Sequence, residues 1–478
     1  FNAAISACEK GGQWEVAVAL FTSMPQHRVS PDVISCSAVI SSCEKVGHWR
    51  LALHLLSGMP DRQATPDTIA FNAAVSACEK GGQWQAALAV LASMPADAVR
   101  PNINSRNAAA SACEKAGQWR RATDMLDAMA ESQATPDVIS CNAAISACEK
   151  GLRRSLALGL LARMELRRLQ PDVVTFNAAI SACEKTHGWT QALALLSELR
   201  RRRLRPSAVT YNACASACEK GHQWVRALEL LPEMMLQRIR PDALTLNALI
   251  SACEKGGRWH QALGLLSEMP DRGLVPDAIS YNASISACES AHQWERAIGL
   301  LEMMRQCCIE PSVVTHNAAI SACEKGQQWV GALSLLNEMP GCDHISYNAA
   351  ILACSRATRW EQSLVLWADM VGRGLQPDLQ ACGRLLVEAE DHGLLGLELE
   401  LLGGTERLLH GGAAIISATR SLLIAGRPLP AVGELGGAHV MPELLLRTVL
   451  PRLWAVCGDK AFATHAVGRP ANAGKQKK

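Results

Sequence analysis

A chain of 478 residues would ordinarily be expected to form two or three globular domains. Hydrophobic residues make up 49% of it but aromatic residues only 4%, so Ala, Leu, Ile and Cys must provide most of the packing. The net charge of +2 excludes a strong overall positive field of the kind that drives tight non-specific binding to polyanions.

A block of 35 residues recurs along the chain, and its constant part reads N-A-A-I-S-A-C-E-K-x-x-x-W. A fixed period of this size is typical of stacked helical units, each of which covers the apolar face of its neighbour. The Asn of the block, replaced once by Ser37, recurs at Asn2, Asn72, Asn107, Asn142, Asn177, Asn212, Asn247, Asn282, Asn317 and, after a shorter interval, Asn348.

Each unit has the pattern of two helices. Between Ile279 and Ser312, apolar residues recur at helical spacing from Tyr281 to Cys288 and again from Trp294 to Met304. The segment between them, Gly-Gly in several other units, is a helix stop, and the Pro near the end of nearly every unit cannot continue a helix. Nothing indicates strands. We therefore predict an all-α fold, an α-solenoid (superhelix) of about eleven helix-turn-helix repeats.

Nineteen cysteines could suggest a disulfide scaffold, but most occur once per repeat at one position. There is no C-x-x-C pair, which argues against zinc and thioredoxin-type chemistry. We interpret the row as buried, reduced thiols, since free Cys behaves as a small hydrophobic residue, and we predict no metal or other cofactor. The row is Cys8, Cys43, Cys78, Cys113, Cys148, Cys183, Cys218, Cys253, Cys288 and Cys323.

The repeat array is predicted to cover residues 1–378, with a truncated first unit and a shortened unit at 313–343. Residues 379–410 retain helical patterning and are predicted to cap the array, and 411–478 end in a basic tail and have no assigned function. No apolar run is long enough to span a bilayer. Because the chain begins in mid-repeat and without Met, we expect its natural N-terminus, with any targeting segment, to be missing.

The unit resembles that of the pentatricopeptide repeat family, V-T-Y-N-x-L-I-x-x-x-x-K-x-G-x-x-x-x-A-L-x-L-x-x-x-M…P-D. The matching residues of one repeat are Val209, Thr210, Tyr211, Asn212, Lys220, Gly221, Ala227, Leu228, Leu230, Leu231, Met234, Pro241 and Asp242. The tetratricopeptide repeat, with a 34-residue period and a W-x2-L-G-x2-Y start, does not match. The chain departs from the family in its Trp, which we predict to be buried at a helix–helix contact.

The resemblance implies binding of single-stranded RNA, one base per repeat. It implies that two polar residues select each base: the Asn of the first helix, whose amide suits a Watson–Crick edge, and the last residue of the unit. The alternative for the Asn is that it only satisfies the backbone at a helix N-terminus. The pairs are Asn2 with Asp32, Ser37 with Asp67, Asn72 with Asn102, Asn107 with Asp137, Asn142 with Asp172, Asn177 with Ser207, Asn212 with Asp242, Asn247 with Asp277, Asn282 with Ser312, Asn317 with Asp343, and Asn348 with Asp378.

The resemblance further implies that an apolar residue three positions before the Asn sandwiches the base together with its copy in the next repeat. Such a contact contributes less than the ~1–3 kcal/mol of an aromatic partner. These residues are Ile34, Ile69, Ile139, Val174, Val209, Leu244, Ile279, Val314 and Ile345, and Asn104 is the exception.

The Lys that ends each C-E-K is predicted to lie near phosphates, and the row as a whole to form a local positive stripe. The alternative is a solvated residue that is favourable at the C-terminal end of a helix. The row is Lys10, Lys45, Lys80, Lys115, Lys150, Lys185, Lys220, Lys255 and Lys325.

In the family, Asn with Asp reads U, Asn with Asn or Ser reads C, and Ser with Asp reads G, which implies a pyrimidine-rich site near 5′-UGCUUCUUCUU-3′. No H-x-E with P-C-x-x-C is present, as a zinc deaminase would need, nor an acidic cluster typical of a nuclease. We therefore predict a monomeric binder rather than an enzyme, which occupies RNA or recruits a separate processing enzyme in a mitochondrion or chloroplast. The alternative is a protein-interaction scaffold, whose groove would vary from unit to unit.

Overall fold

The computed structural model describes residues 1–62, 64–131, 135–339 and 341–392. Over these ranges the chain forms α-helices and two short 3₁₀ turns, Pro25–His27 and Pro60–Arg62, with no strand, so the predicted all-α helical-repeat solenoid is confirmed. The helices are α1 (Asn2–Gly11), α2 (Trp14–Ser23), α3 (Val33–Val46), α4 (Trp49–Ser57), α5 (Thr68–Lys80), α6 (Trp84–Ser93), α7 (Ile103–Lys115), α8 (Trp119–Glu131), α9 (Val138–Lys150), α10 (Arg154–Leu166), α11 (Val173–Lys185), α12 (Trp189–Arg201), α13 (Ala208–Lys220), α14 (Trp224–Leu236), α15 (Ala243–Lys255), α16 (Trp259–Asp271), α17 (Ala278–Ser290), α18 (Trp294–Gln306), α19 (Val313–Lys325), α20 (Trp329–Glu338), α21 (His344–Arg356), α22 (Trp360–Gly372) and α23 (Leu379–Asp391).

Successive helices pair into repeats, from α1 with α2 to α21 with α22. The chain divides into two compact units, Phe1–Ala283 and Ser284–Lys478. From α1 to α15 in the first unit, each first helix packs against its own second helix, and both pack against the first helix of the next repeat. The described helices of the second unit follow the same order, and α23 packs against α21 and α22. Helix α23 forms the first part of the segment, 379–410, that is predicted to cap the array. Residues 393–410 and all of 411–478 lie outside the described residues.

The first helices begin where the last residue of the preceding repeat supplies an N-cap. The carboxylate of Asp242 accepts the backbone N–H of Thr245 at 2.8 Å, and the Thr245 hydroxyl accepts the backbone N–H of Asp242 in return. This reciprocal capping box satisfies two backbone donors that a helix start leaves open, and loss of such a cap costs about 1 kcal/mol. Where the Asp, Ser or Asn that ends a repeat makes this cap, it therefore stabilises the start of the next helix, whether or not it also contacts a ligand.

The turn inside each repeat is closed by a residue in the left-handed region. Gly82 and Gly257 hold this position with φ of 69° and 65°, where glycine carries no steric penalty. Leu152 and His222 occupy the same position in other repeats with φ of 57° and 55°, and there a side chain bears the strain. The Gly-Gly segments are thus helix stops, as predicted, but glycine is not obligatory.

Small side chains fill the contacts between first helices. In α9, Ala144, Ile145, Ala147 and Cys148 are all 0% exposed. The cysteine row is buried from the second repeat onward, as predicted, and burial raises the pKa of thiols such as Cys148 to about 11. A thiol with that pKa is protonated at neutral pH and acts as a packing residue.

The prediction of a buried tryptophan was wrong. Trp189 begins α12 and is only half-buried, because the first residue of the second helix lies at the end of the helix pair. Its indole contacts the turn of the next repeat so closely that a Cβ on Gly221 would lie 2.4 Å from Cδ1. Where Arg154 replaces the Trp, the facing glycine is replaced by Thr186, whose carbonyl accepts a hydrogen bond from Arg154 Nη1 at 3.4 Å.

Candidate nucleic-acid interface

The residues predicted to select a base lie together in pairs. Asn212 is the fifth residue of α13, and its Nδ2 donates to both carboxylate oxygens of Asp242, at 3.1 and 3.0 Å. Further direct side-chain pairs are Asn2–Asp32, Ser37–Asp67, Asn107–Asp137, Asn142–Asp172, Asn247–Asp277 and Asn317–Asp343. Stacking of consecutive first helices therefore joins residues that are 30 positions apart in the sequence.

The shortened repeat keeps this geometry. Asn317 and Asp343 are separated by 26 residues, yet Asn317 Nδ2 still donates to Asp343 at 3.2 Å. The missing residues are taken from the end of the second helix and the connector, since α20 has 10 residues where α18 has 13.

The remaining predicted pairs have other contacts. Asp378 donates its backbone N–H to Asn348 Oδ1 at 3.2 Å, and Asn177 Oδ1 accepts the hydroxyl of Thr210 at 2.6 Å. Asn72 Oδ1 is buried without a partner among the described atoms. Asn282 is the fifth residue of α17, and Ser312 caps α19.

The Asn side chain does not cap a helix; the closing residue does. Asp242 caps α15, whereas Asn212 lies inside α13, beyond the first turn. Burial acts to raise the pKa of Asp242, but hydrogen bonds from the Thr245 backbone and hydroxyl and from the Asn212 amide outweigh it and lower the pKa. The carboxylate is therefore ionised at neutral pH and can only accept hydrogen bonds.

The predicted sandwiching residues are aliphatic side chains exposed to solvent. Because residues three apart share a helix face, each lies beside the Asn of its own repeat. Asn104, the polar exception, is also exposed. The exposed fractions are 63% for Ile34, Ile69 and Ile139, 60% for Val174, 61% for Val209, 67% for Leu244, 59% for Ile279, 66% for Val314 and 51% for Ile345.

The lysine row forms ion pairs between repeats. Lys220 Nζ lies 2.9 Å from Glu184 Oε1 of the preceding C-E-K, and the same carboxylate oxygen accepts the Ser216 hydroxyl at 2.9 Å. Lys45 instead donates to the backbone carbonyl of Glu9. The other pairs of this kind are Lys80–Glu44, Lys115–Glu79, Lys150–Glu114, Lys185–Glu149, Lys255–Glu219 and, in the second unit, Lys325–Glu289.

The prediction of a stripe of positive charge is therefore wrong for these seven lysines, because a glutamate carboxylate neutralises the charge of each ammonium group. Their proximity to phosphates stays a prediction. Sequence reasoning overlooked the glutamate although it recurs with the same period, directly before the Lys and with opposite charge. It also overlooked that Asp, Ser or Asn followed three residues later by Ser or Thr is a capping signal.

Neither a metal centre nor a membrane span is present in the part of the chain that the structure describes. No group of three or more His, Cys, Asp or Glu side chains there could hold a metal ion. Among the same residues, no helix combines the length and hydropathy that crossing a bilayer requires.

Three models of one repeat family match the chain. The first, described as the PPR repeat family, matches residues 171–220 and 241–290. The second, a pentatricopeptide repeat-containing protein model, matches 33–157. The third, the PPR repeat, matches 1–29, 209–239, 279–309, 314–344 and 345–375. No curated protein matches the chain.

Solved structures of the pentatricopeptide repeat protein PPR10 share the fold. The crystal structure of PPR10 from maize is 21% identical, with a TM-score of 0.54 over 84% of this chain and 62% of that one. PPR10 in complex with an 18-nt psaJ RNA element is 21% identical, with a TM-score of 0.50 over 85% and 64%. The chain thus spans less than two thirds of the length of PPR10, and at this identity the likeness shows the fold alone.

Proposed function

Because the chain belongs to the pentatricopeptide repeat family, we propose that it binds single-stranded RNA, one base per repeat, at a pyrimidine-rich site. It acts as a monomer in the RNA metabolism of a mitochondrion or chloroplast, in processing, stabilisation, splicing or translation. It does so without catalysis of its own, by occupying the RNA or by recruiting a separate enzyme. The solved RNA complex of PPR10 supports this reading by analogy of fold.

One observation carries the proposal: an exposed aliphatic side chain lies beside a paired amide and carboxylate in repeat after repeat. Ile139 is 63% exposed and stands three residues before Asn142, which bonds to Asp172. A flat base covering the aliphatic group removes apolar surface from water, and the polar pair faces its hydrogen-bonding edge. A base can therefore cover the exposed aliphatic side chain and form hydrogen bonds with the polar pair at the same place.

The compensated lysines predict how binding responds to salt. Affinity for nucleic acid falls with salt in proportion to the number of phosphates that the protein neutralises. Since Lys220 and its counterparts already pair with glutamates, fewer counterions are released than the number of lysines suggests. The base contacts then carry a larger share of the affinity, which favours sequence-selective binding over general attraction to polyanions.

The test is binding of the full chain to UGCUUCUUCUU and to a purine-rich oligomer of equal length at about 150 mM salt, where attraction to phosphates alone is weakened. We expect tight binding to the first only. Asn212→Ala should weaken binding through base 7, whereas Asn337→Ala, an exposed Asn on the second helix α20, should have no effect. Equal binding to both oligomers, or none, would refute the proposal and favour a protein-interaction scaffold.

A further inference from the structure

In several repeats a buried hydroxyl contacts the side-chain amide of the Asn that is predicted to select the base. It belongs to the third residue of the next first helix, which is Thr or Ser in most repeats and is 0% exposed where it makes this contact. Ser280 Oγ donates to Asn247 Oδ1 at 2.6 Å. The equivalent contacts are Thr175 to Asn142, Thr210 to Asn177 and Thr245 to Asn212, at 2.5 to 2.6 Å.

The direction of these hydrogen bonds follows from the carboxylate. Asp277 can only accept, so the amide nitrogen of Asn247 must face it, as the distances of 3.1 and 3.2 Å indicate. The amide oxygen then faces Ser280, whose hydroxyl lies 2.6 Å from Asn247 Oδ1 and 2.8 Å from Asp277 Oδ1 and shares its one proton between these two acceptors. Both ends of the amide are held, and one N–H of Asn247 is left to offer. We call such pairs latched; Asn142–Asp172 and Asn212–Asp242 are the others.

Three other Asn–Asp pairs lack this contact among the described residues, and in the first of them, Asn2–Asp32, the Ser35 hydroxyl donates to the Asp32 backbone carbonyl at 2.8 Å. Asn107 donates to Asp137, but its Oδ1 is buried without a partner among the described atoms. The hydroxyl of Ser140, at the position equivalent to Ser280, donates instead to the backbone carbonyl of Asp137 at 2.9 Å. Asn317 Oδ1 is likewise without a partner in the described part of the second unit. We call these pairs open.

We propose that the third-position hydroxyl is a positioning residue that sets how strictly the preceding repeat distinguishes uridine from cytidine, an inference that rests on the proposed RNA binding. The two bases differ at ring nitrogen 3, which carries a hydrogen only in uracil, and at ring carbon 4, where uracil carries a carbonyl oxygen and cytosine an amino group. A latched amide offers the group on carbon 4 only an N–H donor and therefore requires the carbonyl. An open amide also has a free oxygen, which accepts from the amino group after a rotation. Latched repeats thus discriminate more strongly than open ones, although both carry Asn and Asp.

The unmodified chain provides the first test. In the family's pairing order, Asn247–Asp277 meets base 8 and Asn107–Asp137 meets base 4 of UGCUUCUUCUU, and both bases are uridine. Replacing base 8 by cytidine should weaken binding about three- to tenfold more than replacing base 4 by cytidine. This factor corresponds to the net contribution of one neutral hydrogen bond. Equal losses at the two bases would overturn the inference.

Two serines make a matched pair of variants. Ser280→Ala and Ser140→Ala remove the same hydroxyl from the same helix position, and each accepts its own cap's backbone N–H, from Asp277 and Asp137. Both variants should therefore lose the same cap contact, and Ser280→Ala loses in addition the hydrogen bond to Asn247. Only Ser280→Ala should reduce the preference for uridine, at base 8, by about three- to tenfold. Ser280→Thr, which retains a hydroxyl, should restore it.

The outcomes separate the latch from the function it serves. If the unmodified chain does not select UGCUUCUUCUU over a purine-rich oligomer, the proposed RNA binding fails. If it does select that RNA, but Ser280→Ala and Ser140→Ala change the uridine preference equally or not at all, the latch alone is refuted. Thermal unfolding of both variants, compared with the parent chain, shows whether any change in selectivity comes with loss of structure.

Discussion

Two isoleucines in α9 separate packing from recognition within one helix. Ile145 is 0% exposed and Ile139 is 63% exposed. The change Ile→Ala removes three carbons, which at about 0.8 kcal/mol each amounts to about 2.4 kcal/mol of lost burial. At Ile145 a cavity adds to this, so the expected loss of unfolding free energy is about 2–5 kcal/mol. At Ile139 only about a third of that contact exists in the folded chain, so the loss is about 0.9 kcal/mol or less.

The assays are urea unfolding followed by far-UV circular dichroism, and RNA binding under conditions where both variants are folded. Ile145→Ala should lower the unfolding midpoint and leave RNA affinity unchanged. Ile139→Ala should leave the midpoint nearly unchanged and weaken binding of UGCUUCUUCUU, because the uncovered base loses an apolar contact. The reasoning is refuted if Ile139→Ala destabilises the chain as much as Ile145→Ala, or if it binds RNA like the parent.

Three further predictions concern the cap, the ion pairs and the thiols. Asp172→Ala should destabilise the chain by about 1 kcal/mol at neutral pH. Because hydrogen bonds outweigh burial and lower the pKa of Asp172, its ionic contribution is present above the unfolded value of 3.8 and is lost as pH falls through the lower folded pKa. The difference in unfolding free energy between Asp172→Ala and the parent should therefore become smaller as the pH is lowered. A difference that stays constant with pH would contradict this. A double-mutant cycle on Lys220 and Glu184 should give a coupling of about 0.2–1 kcal/mol that declines with added salt, and no coupling at low salt would argue against the pair. Cys307 and Cys308 are exposed and should react rapidly with a thiol reagent, whereas the row of buried thiols reacts only on unfolding; a Cys307→Ser, Cys308→Ser variant that labels as fast as the parent would refute this assignment.

The repeat sequence by itself determined the architecture. The period, the helical spacing of apolar residues from Tyr281 to Cys288, and the breakers between them are local signals, and the helices begin and end close to where those signals lie. The burial of the cysteine row follows from the same periodicity. The candidate site residues could be named in advance because a repeat presents each position many times at one place on the helix.

Only the tertiary structure decided which side chains meet across repeats. The Asn–Asp pairs, the compensation of Lys220 by Glu184 and the contact of Trp189 with Gly221 join residues about 30 to 36 positions apart. These contacts depend on the offset between stacked helices, which no local spacing specifies. The difference between latched and open pairs is also tertiary: Ser280 and Ser140 occupy the same position in the repeat, yet the Ser280 hydroxyl reaches the amide of the neighbouring repeat whereas the Ser140 hydroxyl donates to the backbone carbonyl of its own cap, and no local spacing specifies which contact forms.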